Sequence, residues 1–354
     1  MNPTTLENFL FVPDPQRPSG TLYELSPSRN FEPNSFVLLP YSNPQIKKTE
    51  PKFYTVKTKT HVADLAAFTN ASSHQTLSLK ATVSKQQYFE RVQALKQHIQ
   101  IGNIYEINYC IRFFAEEVII DPLDVFCALH LLAKAPYAAL VKLDQEYLIS
   151  ASPELFLKKE GTYFSTKPIK GTIRRGENPE EDEALKTILY KSQKDRTENV
   201  MAVDVARNDL SQFAKKATVQ VNKLFNIETF ETVHQMVSTV SCEAKEGTSF
   251  EKIIDSMFPM ASMTGAPKLM AMKLIGEYEH VERGYYSGAM GLVDHNGNFT
   301  WSVIIRTIFY DQRTKKITLA VGSAITALSD PEQEYEECLL KAAALLKALN
   351  ATIE

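Results

Sequence analysis

Strand-like runs lie on both sides of a long helical stretch, with no regular strand-helix-strand repeat, and this irregular mixture limits the fold more than any other feature. A doubly wound parallel sheet would need that repeat. SFVLLPY and KFYTVKT within residues 1–83, and YYSGAMGLVD, TWSVIIRTIFY and KKITLAVG near the end, alternate or stay apolar between turn residues. The run YAALVKLDQEYLISASPELFLKKEGTYFSTKPIKGT predicts an antiparallel meander. From Ser84 the pattern changes: YFERVQALKQHIQIGN has the periodicity of an amphipathic helix ending near Gly102, followed by a strand or strand pair in IYEINYCIRFFAEEVII. Long helices are predicted over 181–209, with Leu185, Ile188, Leu189, Val200 and Val203 spaced as a buried stripe. The last helix has a well-marked start, with Asp330 as N-cap, Pro331 at the first helical position and Gln333 placed to complete a capping box. Neither GxGxxG nor a P-loop occurs, so dinucleotide and nucleotide triphosphate folds lose their main support.

At 354 residues and 44% hydrophobic content the chain can bury a substantial core. It reads as a short, strand-rich N-terminal segment, 1–83, packed on a main domain, 84–354. A net charge of -3, with Lys and Arg spread along the chain, gives no electrostatic reason to expect nucleic acid or an anionic membrane as partner. Cys110, Cys127, Cys242 and Cys338 form no CxxC pair, which argues against a zinc site or disulfide framework and for a cytoplasmic location. The start, MNPTTLENFLFVPDP, lacks a basic segment followed by an apolar one, and no apolar run is long enough to span a bilayer. A soluble, unprocessed chain is expected.

On the last helix Glu334, Glu337 and Lys341 share one stripe, while Tyr335, Leu339, Ala342, Leu346 and Leu349 share another. Asp195 and Glu198 stand three residues apart on the central helix. Periodicity alone favours solvated faces. Two such carboxylate pairs brought together would instead suit a hard divalent cation. Lys170 in KPIKGT and Glu154 in SASPELFL are compatible with either solvated or functional roles. GAPK, 265–268, is a turn before a helix or a close approach of backbone to a ligand, and His234 is by default a structural histidine. Arg306, read inside the apolar strand WSVIIRTIF, needs an anion from the protein or from a ligand.

Taken in order, SPELFL, PIKGT, DRTENVMAVDVARNDL, SMTGAPK, RGYYSGAMG, IRT and DPEQEYEE resemble the signature of the chorismate-utilising enzymes, across Ser84 to Ala348. That family contains anthranilate synthase component I, aminodeoxychorismate synthase component I, isochorismate synthase and salicylate synthase. The resemblance implies an α+β fold in which two antiparallel sheets pack against each other with helices on the outside. It also implies chorismate as substrate and Mg²⁺ as cofactor. A lysine in PIKGT is similar to the branch that aminates C4, where anthranilate and isochorismate synthases usually have alanine.

By this resemblance Lys170 attacks C2 of chorismate and displaces the C4 hydroxyl; ammonia then enters at C4 and expels the lysine. The product is 4-amino-4-deoxychorismate, precursor of p-aminobenzoate and folate. Such an attack needs a neutral amine, so the ordinary lysine pKa of about 10.4 must be lowered. Glu154 is implied to be the general acid, its pKa raised by burial. Glu198 and Glu337, helped by Asp195 and Glu334, correspond to Mg²⁺ ligands holding the ring carboxylate. Arg306 and Tyr286 correspond to positions that hold the enolpyruvyl carboxylate, assisted by backbone N–H groups around Gly322, Ser323 and Ala324. VGSAI lacks the second glycine of the family's Gly-Ala-Gly. Gly171, Thr172, His234 and Lys341 correspond to further pocket positions, with His234 near the leaving group.

Isochorismate and salicylate synthases have a lysine base where this chain has Glu106, which argues against water as nucleophile; aminating relatives commonly have glutamine there. Residues 1–83 show no LLES-type tryptophan motif, and no Cys in a Gly-rich elbow marks a glutaminase. Tryptophan feedback is therefore not expected, and ammonia is expected from a separate glutamine amidotransferase subunit. Anthranilate synthase component I is the nearest alternative, opposed by Lys170 and the missing tryptophan motif. A non-catalytic chorismate-binding subunit is another, opposed by the intact acid, nucleophile and metal positions.

Overall fold

The structure is a computed structural model that describes residues 2–15, 17, 19–43, 49–69, 76–231 and 233–354. Its helices are α1 (Lys85–Gln100), α2 (Pro122–Ala133), α3 (Pro179–Lys191), α4 (Gln193–Ser211), α5 (Phe250–Met257), α6 (Lys268–Glu279) and α7 (Pro331–Ala348). Ser84 and Gln87 close a reciprocal capping box at the start of α1, whose Tyr88, Val92 and Leu95 turn into the core. Asp330 caps α7 by accepting from the N–H groups of Glu332 and Gln333, with Pro331 inside the first turn. Over 181–209 the chain makes two helices: α3 ends at Ser192, which caps α4 through its hydroxyl. Only part of the expected stripe is buried, since Leu189 and Val203 pack inside while Ile188 (59%) and Val200 (46%) are exposed.

Two separate antiparallel sheets were expected; the hydrogen bonds make one continuous ribbon. One arm runs from Gln220–Thr229 through Val233–Glu243, Tyr163–Thr166, Leu155–Glu160, Phe299–Val303 and Ala289–Val293 to Ser35–Leu39. Lys52–Val62 and Gly20–Ser28 continue it. The second arm follows through Asn8–Pro13, Tyr137–Leu143, Glu146–Ser152, Thr307–Asp311, Lys316–Ile325, Glu106–Ala115 and Leu77–Ala81. These pairings are antiparallel, and Ala351–Ile353 adds a parallel edge against Leu77–Ala81. The N-terminal strands thus supply the middle of the ribbon, because their backbone groups find partners far along the chain.

The arms face one another over an apolar cluster that joins Leu10, Val141 and Leu148 to Phe36, Leu38 and Met290. A cavity of about 1070 Å³ also opens between them, lined by Tyr23, Phe36, Lys59, Tyr137 and Met290. Helices α1, α2, α6 and α7 cover the second arm, whereas α4 and α5 cover the first. No helix among the described residues is long and apolar enough to cross a membrane.

A buried ion pair ties these parts together. The guanidinium of Arg283 (5% exposed) donates to both carboxylate oxygens of Glu279 at 2.9 and 2.6 Å. It also donates to the carbonyls of Met263 (2.6 Å) and Asn108 (2.9 Å) and lies over the ring of Tyr41. Glu279 in turn accepts from the backbone N–H of Cys110 at 3.0 Å. Removing one member of a buried pair strands the other charge, which costs about 3–5 kcal/mol. Arg283→Met is therefore expected to lower the unfolding free energy by about that much in denaturant titration; an unchanged midpoint would show that the network contributes nothing.

Candidate active site

The expected meander breaks at Pro153 and Glu154. Glu146–Ser152 belongs to one arm and Leu155–Glu160 to the other, so Glu154 stands at a crossing between arms. A second crossing lies alongside, between Phe299–Val303 and Thr307–Asp311. There Arg306 is outside the strand to which its apolar surroundings assigned it, with a left-handed φ of 51°. Such a conformation in a bulky residue costs about 1–3 kcal/mol and concentrates at functional sites. The two crossings are bonded to each other and to their strands, as Val303 N–H donates to the Glu154 carbonyl and Ala151 N–H to that of Arg306, both at 3.0 Å. Arg306 makes no ion pair among the described residues, and burial pushes its guanidinium pKa below its ordinary value. It is free for a ligand's anion.

Lys170 lies on Ile169–Arg174, buried at 7% exposure, and its ammonium contacts Glu106. Its pKa runs against expectation. Burial alone would lower it, but Glu106, Glu198 and Glu154 together outweigh burial and hold it above the usual lysine value. Glu154 follows expectation: burial pushes its carboxyl from 4.5 to about 7, against the opposing pull of a Ser262 hydrogen bond, Lys170 and Lys341. Burial raises Glu198 to about 7 as well.

Gly171 has φ +88°, and a Cβ there would lie 2.8 Å from the Cβ and Cγ of Asp195, so the glycine lets α4 approach the lysine strand. On α7, Glu337 pairs with Lys341 at 2.6 Å, and buried Glu334 receives Lys194 at 3.1 Å. Glu337 is held below its ordinary value because Lys341, Lys194 and Lys170 outweigh its burial. Among the described residues no three His, Cys, Asp or Glu side chains are grouped as a ready metal site. Even so, one oxygen of Glu198 and one of Glu334 are buried without a hydrogen-bond partner among the described residues. Carboxylate oxygens left over in this way, on facing helices, fit a hard divalent cation.

A cavity of about 260 Å³ is lined by Thr172, Gln235, Arg306 and Lys341. Tyr286 is buried with its hydroxyl 3.6 Å from the thiol of Cys110, near enough to Arg306 for the two to interact through charge. Gly322 offers its carbonyl to the Lys341 ammonium at 2.8 Å. The Ser323 hydroxyl turns away to Tyr88 at 2.9 Å.

His234 does not enter this cavity. Its ring bonds Thr229 (3.0 Å) and the Asp182 carboxylate (2.8 Å), which Arg175 also clamps. Side chains alternate along a strand, so Gln235 is the one that faces the cavity, opposite Thr172. Its Oε1 is buried with no hydrogen-bond partner among the described residues. The strand pairing that decides between His234 and Gln235 was not visible in the sequence. GAPK makes a close approach to protein: Gly265 pairs with Ile107, and a Cβ on it would lie 2.2 Å from the Glu106 carbonyl. Its Lys268 bonds Asp209 on α4 at 2.7 Å.

Comparison with known proteins adds three findings. The family described as chorismate binding enzyme matches residues 28–347. The chain is 42% identical over 265 residues to aminodeoxychorismate synthase from Streptomyces pristinaespiralis, covering 74% of this chain and 36% of that protein. It is 35% identical over 276 residues to anthranilate synthase component 1 1 from Haloarcula marismortui, covering 78% and 56%. The chain therefore spans about half or less of these relatives' length. Menaquinone-specific isochorismate synthase from Escherichia coli superposes with a TM-score of 0.80 at 14% identity, covering 98% of this chain and 90% of that one, and so shares its fold.

The Glu154 shift has a thermodynamic consequence. A folded-state value of about 7 against 4.5 means that the native protein holds the proton more tightly, so stability falls as pH rises from 4.5 through 7. The difference corresponds to about 3 kcal/mol. Glu154→Gln cannot ionise and is expected to be more stable than wild type above about pH 8, by up to that amount, and near parity below about pH 5. Thermal melts at both pH values check this; equal melting at alkaline pH would contradict the raised carboxyl.

Proposed function

The chain belongs to the chorismate binding enzymes, and from that premise we propose that it aminates chorismate at C4 to 4-amino-4-deoxychorismate, as an aminodeoxychorismate synthase component. One observation carries the reading: a buried amine, Lys170, lies close enough to a buried carboxyl, Glu154, for each to feel the other's charge, and the Glu154 value of about 7 suits a proton donor at neutral pH. Lys170 attacks C2 as Glu154 protonates the departing C4 hydroxyl. Ammonia then attacks C4 and expels the amine.

The substrate is a dianion, and the surrounding charges sort its two ends. The unpaired guanidinium of Arg306, beside Tyr286, takes the enolpyruvyl carboxylate, with backbone N–H groups near Gly322 and Ser323. Gln235 and Thr172 offer neutral polar contacts in the same cavity. Glu198, Glu334, Glu337 and Asp195 would hold Mg²⁺, which when bound supplies positive charge to the ring carboxylate. Pairing Glu198 with a cation also withdraws one of the carboxylates that keep Lys170 protonated. Ammonia comes from a separate glutamine amidotransferase subunit, in keeping with "component 1" in the name of the Haloarcula relative. All four cysteines are free, which supports placing the reaction in a reducing cytoplasm.

Incubating the purified chain with chorismate, Mg²⁺ and ammonium is expected to yield a product that aminodeoxychorismate lyase converts to p-aminobenzoate. Anthranilate as product would transfer the chain to the sister activity, and unchanged chorismate would remove the catalytic reading. Lys170→Ala is expected to lose at least about 100-fold in turnover and to form no lysine-linked adduct by intact mass. Excess chelator is expected to abolish turnover; full activity in its presence would refute the Mg²⁺ site.

A further inference from the structure

Of the carboxylates around Lys170, one has no task in the reaction so far described. Glu106 opens the strand Glu106–Ala115 and is 3% exposed. Its carboxylate touches the Lys170 ammonium, and that is its only side-chain partner among the described residues. It cannot easily swing away, because its backbone pairs with Ala266 and the N–H of Tyr105 donates to the Ala266 carbonyl at 2.7 Å. Lys170 also faces Glu154, Glu198 and Glu337. Glu154 must carry a proton to serve the leaving hydroxyl, Glu337 is paired with Lys341, and the free oxygen of Glu198 suits a cation. Glu106 alone is both in contact with the reacting nitrogen and uncommitted.

We infer that Glu106 is a catalytic residue that takes the proton of the Lys170 ammonium before attack and returns it after the amine is expelled. This rests on the C4-amination reading above. The protons and bonds balance. Glu106 accepts one proton and leaves Lys170 as a neutral amine. The Nζ–C2 bond forms, the ring double bonds shift, and the C4–O bond breaks as Glu154 delivers its proton to give water. Ammonia then bonds to C4, the C2–Nζ pair returns to nitrogen, and the new C4 ammonium gives a proton to the Glu154 carboxylate. Glu106 finally reprotonates Lys170. The net change is chorismate plus ammonia to aminodeoxychorismate plus water.

The decisive feature is that the proton never leaves the pair. Activating Lys170 in the wild type therefore costs no exchange with solvent and carries no pH dependence of its own. In Glu106→Gln the proton must go to water, so the fraction of neutral amine rises about tenfold per pH unit until the lysine itself titrates. Glu106→Gln and Glu106→Asp are compared with wild type in single turnovers without ammonium, following the lysine adduct by quenched intact mass from about pH 6 to about pH 9. Circular dichroism and chorismate binding confirm that each variant is folded.

At neutral pH Glu106→Gln is expected to form the adduct more slowly than wild type, with its ratio to wild type climbing as pH rises until the lysine, no longer held up by Glu106, has titrated. Glu106→Asp, which keeps the acceptor one methylene short, is expected to be slowed while retaining the wild-type pH dependence. A Gln variant as fast as wild type, or slowed by a factor that does not change with pH, would overturn the inference by reducing Glu106 to a fixed charge. Failure of the amination reading looks different, since the wild type itself would then form neither adduct nor aminodeoxychorismate.

Discussion

Antiparallel pairing along one unbroken ribbon is the constraint on which the rest of this molecule depends. A ribbon that passes from one arm to the other must leave regular pairing somewhere, and backbone groups there need other partners. At Glu154 and Arg306 the two crossings supply each other's neighbourhood, through the bonds from Val303 and Ala151. Side chains at these points are not obliged to point alternately into a core or into solvent. They are aimed instead into the space between the strands and helices α4 and α7. Glu154, with its raised pKa, and the guanidinium of Arg306, which makes no ion pair among the described residues, thus both stand where the ribbon crosses between its arms.

Electrostatics inside that space is governed by an excess of carboxylates. Burial alone would lower the Lys170 pKa, yet Glu106, Glu198 and Glu154 reverse the sign of the effect. The same burial works without opposition of equal size on Glu154 and Glu198 and raises both. An acid that is protonated near neutrality and a lysine that is charged are two results of one crowded set of groups. The lysine becomes a nucleophile only if something in the site removes its proton.

Much of this was legible in the sequence. The ordered motifs, through their resemblance to one family, assigned Lys170, Glu154, Glu198, Glu334, Glu337, Arg306, Tyr286 and Lys341 to one site, whereas residue type and spacing alone left the carboxylate pairs, Lys170 and Glu154 compatible with solvated roles. What the sequence could not show depended on pairing. A strand has a period of two, so the choice between His234 and Gln235 rests on register alone. Two expected sheets became one ribbon because the partners of Ser35–Leu39 lie in Ala289–Val293. The direction of the Lys170 shift required knowing how many carboxylates surround it. Arg283 and Glu279 stand four residues apart, and only packing shows this ion pair to be buried.

That long pairing also bears on how the chain is made. Ser35–Leu39 cannot complete its edge until residues some two hundred and fifty positions later have been synthesised. Until then an apolar strand, SFVLL, every residue of which is buried in the finished protein, waits with one side unpaired. Contacts so distant in sequence slow folding, and open strand edges invite pairing with other chains. The ribbon that creates the active site therefore leaves the nascent polypeptide dependent on protection from its neighbours through most of its translation.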